Sequence, residues 1–142
     1  MPKSPQMRLN CARPKVLIVE NEGDLLDELA LALQLADISV MCANNGPSAL
    51  ELLGQYRELC IVLLDWRMAG MSGGDLMAAI NADIAPQRPV AMIAMSGGWS
   101  DEELQRAKEL GAVACVTKPS FITTITTAID DALSHVKARL QR

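Results

Sequence analysis

The chain has 142 residues, half of them hydrophobic and 3% aromatic, with 13 basic and 17 acidic residues for a net charge of −4. This length suits one domain with a proper core, and the apolar content excludes a disordered chain. The acid excess argues against nucleic acid as a direct partner, because phosphate binding needs a basic face, and no apolar run approaches the ~20 residues of a membrane span.

The opening MPKSPQMRLNCARPK lacks the apolar stretch of a signal peptide. Residues 1–14 read as a flexible, solvated tail and residues 15–142 as the domain. Val16 to Val19 is a short β-branched-rich run, expected to be a buried strand. Leu25, Leu26, Leu29, Leu33 and Ala36 then keep helical spacing, and Ile38 to Ala43 alternates as an edge strand would. Pro47 opens a second helix at its tolerated first-turn position. Ile61 to Leu64 is the third strand, Asp75 to Ile80 a short helix, and Val90 to Met95 the fourth strand. Ser100 with Glu103 three residues on forms a capping box for a fourth helix, which Gly111 ends. Val113 to Val116 is the fifth strand, and Ile122, Ile125, Ile129, Leu133, Val136 and Leu140 give the last helix its stripe.

Alternating strands and helices, with strands apolar on both faces, imply an α/β fold: a parallel sheet with helices on both faces. Five strands in this pattern suggest the flavodoxin-like doubly wound sheet, in order 2-1-3-4-5. Cys11, Cys42, Cys60 and Cys115 lie far apart and the chain has one His, which argues against zinc. Cys42, Cys60 and Cys115 fall inside apolar runs and read as small core residues in a reducing, cytoplasmic compartment.

Ligands of such sheets bind beyond the carboxyl ends of the strands. There the first strand carries Glu20, Asn21 and Glu22, the third Asp65, the fourth Ser96, and the fifth Lys118 with Pro119. Clustered carboxylates call for a cation, and an oxygen-only cluster suits Mg²⁺. An ammonium, a hydroxyl and a reactive carboxylate beside it suit a phosphoryl group carried on that carboxylate.

The stretches VLIVENE, LLDWRMAGMSG, AMSGG and VTKP resemble the receiver domain of two-component response regulators, and the resemblance runs from about Lys15 to Leu140. It implies that Asp65 accepts a phosphoryl group from a histidine kinase or histidine phosphotransfer protein. It further implies that Ser96 and Lys118 bond the phosphoryl oxygens, and that Pro119 follows a cis bond. Glu20 and Asn21, Asp65 and the backbone carbonyl of Arg67 would hold Mg²⁺. Such a chain accepts and releases phosphate and is not a conventional enzyme.

The sequence departs from the family in places. Glu20 and Asn21 stand where two aspartates are usual, so Mg²⁺ binding should weaken by about 1–2 kcal/mol as a charge-assisted bond becomes neutral; Glu20 and Glu22 can compensate in part. Ala69 and Ser72 replace the usual proline and aspartate, and Cys115 replaces the aromatic switch residue, leaving Trp99 as a candidate to carry the output.

Taken singly, each residue has a plainer reading. Asn21 is either a neutral ligand or the start of a helix, Arg67 reads as an exposed loop residue, Trp66 as half-buried, and His135 as solvated near a helix end. The alternative to a phosphate acceptor is a pseudo-receiver, an interaction module that works without phosphorylation. A dehalogenase-type phosphatase would want an acid where Arg67 stands, and dinucleotide and P-loop glycine patterns are absent. No output segment follows the last helix, so the expected route of action is a protein target bound on the face of the fourth helix, fifth strand and fifth helix, by a monomer or weak dimer.

Overall fold

A computed structural model describes residues 14–141; of the tail expected at 1–14, all but Pro14 lies outside them, Cys11 included. The elements follow in strict alternation: β1 (Val16–Val19), α1 (Gly23–Leu35), β2 (Val40–Ala43), α2 (Gly46–Gln55), β3 (Ile61–Asp65), α3 (Gly73–Asp83), β4 (Ala91–Ser96), α4 (Asp101–Glu109), β5 (Ala112–Thr117) and α5 (Ile122–Leu140). All strand pairs are parallel, and the order is β2-β1-β3-β4-β5, as the pattern of elements implied.

Successive strand residues point to opposite faces, and this splits the core in two. Leu17, Val19, Val62 and Leu64 pack with Leu53, Leu76 and Ile80 of α2 and α3. Val16, Ile18, Ile61 and Leu63 pack with Leu33 of α1 and Ile125 and Ile129 of α5. The central strand β3 is buried along its whole length, Asp65 included.

Local chemistry sets the helix starts. Asn45 caps α2 by accepting from the Ser48 amide at 2.8 Å. Ser72 and Asp75 form a capping box on α3, and Ser100 and Glu103 form one on α4. Two expectations need correction. The third helix runs from Gly73 to Asp83 rather than from Asp75 to Ile80, because the Ser72 box draws the Gly73-Gly74 pair into its first turn. Cys42 is exposed, and Cys60 and Cys115 are half-buried rather than core. Cys42 and Cys115 lie on edge strands, which have a neighbour on one side only and incomplete cover.

Candidate functional site

In a parallel sheet every strand delivers its carboxyl end to the same edge. Among the described residues the buried polar side chains are Glu20, Asp65 and Ser96, and all three sit at that edge. Glu20 follows β1, and its amide donates to the Ala43 carbonyl of β2 at 3.1 Å. Asp65 closes β3 and is in register with Met95 of β4; Ser96 closes β4. Lys118 follows β5, with its amide donating to the Ser96 carbonyl at 2.8 Å, and the Lys118–Pro119 bond is cis.

The side chains meet around the ammonium. Lys118 Nζ lies 3.1 Å from Glu20 Oε1 and 3.3 Å from Asp65 Oδ1. Burial works against the Lys118 charge, but the hydrogen bond to Glu20 and the charges of Asp65 and Glu20 outweigh it and hold its pKa above the ordinary value. Glu20 is more deeply buried; its desolvation outweighs the Glu22 amide, 3.2 Å from Oε2, and the pull of Lys118, and raises its pKa. The Arg67 amide donates to Asp65 Oδ1 at 3.2 Å. The Ser96 hydroxyl is turned to its own loop, donating to the Gly98 carbonyl at 2.9 Å and accepting from the Gly98 amide at 3.2 Å.

The sequence-derived residues therefore fall into two groups. Glu20, Asp65 and Lys118 are in contact, with Ser96 on the adjoining strand end, whereas Asn21 is exposed. Arg67 does more than an exposed loop residue would: Nη2 donates to the Gly98 carbonyl and to Glu103 Oε1, each at 2.8 Å. Trp66 and Trp99 lie 5.4 Å apart between ring centroids, tilted by 46°, and Trp99 Nε1 donates to the Val116 carbonyl at 3.0 Å.

Gly73 is a further positioning residue that sequence reasoning missed. A Cβ there would lie 2.5 Å from the Asp65 carbonyl oxygen and 2.6 Å from Trp66 Cα, so the absent side chain lets α3 press against the end of β3. The glycine pair after Ser72 was the available signal. Nothing in the sequence linked Arg67 to Glu103, which reads there as a cap residue only.

Beside Glu20 and Lys118 a cavity of about 450 Å³ opens between α1 and α5, with Leu25, Leu29, Met95 and Ile125 in its walls. No group of three His, Cys, Asp or Glu side chains that could hold a metal occurs among the described residues. The buried oxygen donors at the edge are the Glu20 and Asp65 carboxylates, with Asn21 and Arg67 next to them in the chain. Two carboxylates that repel each other, with neutral oxygens beside them, fit Mg²⁺, which takes one or two carboxylates and keeps several waters.

The family model for the response regulator receiver domain matches residues 16–130. The chain is 38% identical over 104 residues to the sensory transduction protein RegX3 of Mycolicibacterium smegmatis, a match covering 73% of this chain and 43% of that protein. It is 32% identical over 120 residues to the transcriptional regulatory protein GlrR of Escherichia coli, covering 84% of this chain and 26% of that protein. It thus spans under half the length of these curated relatives. The fold is shared with the response regulator receiver domain protein of Clostridium thermocellum, with a TM-score of 0.81 at 23% identity, covering 89% of this chain and 98% of that one.

Proposed function

The chain belongs to the response regulator receiver domain family, and from that premise we propose that residues 15–142 form a phospho-accepting module with Asp65 as the acceptor. The observation that carries this reading is the meeting of Asp65, Glu20 and Lys118 at the end of the sheet, with Ser96 on the adjoining strand.

A carboxylate oxygen of Asp65 attacks the phosphorus of a phosphohistidine on a histidine kinase or histidine phosphotransfer protein. The phosphorus–nitrogen bond breaks, its electron pair stays on the imidazole, and the product is an acyl phosphate on Asp65. Lys118 pairs with a phosphoryl oxygen, and Ser96 leaves the Gly98 carbonyl to donate to another. Glu20, Asn21, Asp65 and the Arg67 carbonyl would hold Mg²⁺, which when bound supplies positive charge to the phosphoryl oxygens. Hydrolysis of the acyl phosphate by water resets the module, so it is no conventional enzyme.

The output is a change in a protein-binding face made by α4, β5 and α5, displayed by a monomer or weak dimer in the cytoplasm. Cys115 has no ring to draw inward, and Trp99, bonded to the β5 main chain, takes that part.

Incubation with a small-molecule phosphodonor, with and without Mg²⁺, followed by intact mass measurement, tests the reading. One Mg²⁺-dependent phosphate is expected on the natural chain and none on Asp65→Asn. No adduct on either would make the chain a phosphorylation-independent interaction module.

A further inference from the structure

The Gly98 carbonyl between β4 and α4 accepts from two donors, Arg67 Nη2 at 2.8 Å and Ser96 Oγ at 2.9 Å. Both donors are neighbours of Asp65. The Arg67 amide already donates to Asp65 Oδ1, and Ser96 ends the strand that pairs with β3. The same Nη2 also bridges to Glu103 in the first turn of α4. One guanidinium thus ties the loop after Asp65 both to the loop before α4 and to α4 itself.

We propose that Arg67, Gly98 and Glu103 form a latch that holds α4 in its resting position, and that a phosphoryl group on Asp65 opens it. This rests on the reading of Asp65 as acceptor and adds the route by which the modification leaves the site. A guanidinium binds phosphoryl oxygens in a two-pronged, charge-assisted way that a neutral carbonyl cannot match. The new anion therefore draws Arg67 from Gly98 and Glu103, as it draws the hydroxyl of Ser96, and the Gly98 carbonyl loses both donors in one event.

The parts left behind are suited to this. The Arg67 side chain is 59% exposed, so the ion pair it gives up is a weak one. Glu103 keeps the Ser100 amide at 2.9 Å, so α4 retains its cap while losing its tether. Trp99 lies between the released loop and β5, packed at a tilt against Trp66 and bonded to the Val116 carbonyl. Loop movement therefore reaches β5 without an aromatic residue at position 115.

The test follows the Gly98 and Glu103 amides and the Trp99 indole by NMR in the 142-residue chain. The natural sequence, Arg67→Ala and Glu103→Gln are compared before and after treatment with acetyl phosphate and Mg²⁺. Intact mass of the same samples reports the adduct. The natural chain should gain one phosphate and shift all three signals. Unmodified Arg67→Ala should already show Gly98 and Trp99 displaced toward the modified positions, with less than half the further response on modification. Glu103→Gln should take up phosphate as the natural chain does and show the Trp99 displacement. A full adduct with an undiminished response in both variants would overturn the latch and leave the acceptor reading standing. An absence of adduct in every sample would overturn the acceptor reading and the latch with it.

Discussion

At the amino edge of the sheet Arg88 donates through Nη2 to the main-chain carbonyls of Leu53, Tyr56 and Leu59, at 2.8, 3.4 and 3.1 Å. At the carboxyl edge Lys118 lies 3.1 Å from Glu20 and 3.3 Å from Asp65. Both edges withdraw a cation from water against oxygens. The carbonyls around Arg88 belong to the end of α2 and the approach to β3; they are neutral main-chain groups that cannot take on a phosphoryl group, and the guanidinium satisfies them. The partners of Lys118 are ionisable carboxylates held against mutual repulsion, which is why the proposed acceptor lies at this edge and not at the other.

Lys118→Ala tests this contrast with the largest effect. It leaves two buried carboxylates without their ammonium, and loss of about 3 kcal/mol in urea unfolding is expected, together with loss of phosphate uptake by mass. Arg88→Met should cost about 2 kcal/mol, because carbonyls at the end of α2 lose a charged donor, yet leave uptake unchanged. Equal loss of uptake in both variants would erase the distinction between the edges. Ser72→Ala, which removes only the α3 cap, should cost about 1 kcal/mol.

The finest probe is pH. Glu20 is raised above its ordinary 4.5, so between that value and its folded value the native state binds more protons than the unfolded chain. Its contribution to stability is then full below pH 4.5 and is lost as pH rises through the raised pKa. In metal-free buffer Glu20→Gln should flatten that decline, and an unchanged slope would mean that burial does not govern this carboxylate.

Much of the site was legible because it depends on chain order and periodicity. Once the strands are known to be parallel, Glu20, Asp65, Ser96 and Lys118 must share an edge whatever their side chains do. The start of α4 was legible from Ser100 and Glu103, a capping pair three apart. The start of α3 was missed although Ser72 and Asp75 are such a pair too, because the glycine pair between them has low helix propensity and its reason for being there, the closeness of Gly73 to the Asp65 carbonyl, is a tertiary contact.

The sequence by itself determined the alternation of elements, from hydrophobic spacing and local capping, and with it the parallel sheet edge at which the charges gather; the strand order came from likeness to a known doubly wound fold and is realised only in the tertiary pairing. Only the tertiary structure decided that Cys42 is left uncovered, that Arg67 reaches Glu103 across 36 positions of the chain, and that Trp66 meets Trp99. Those outcomes depend on how the loops fold over the sheet edge and on the distances between side chains far apart in sequence, which no local pattern encodes.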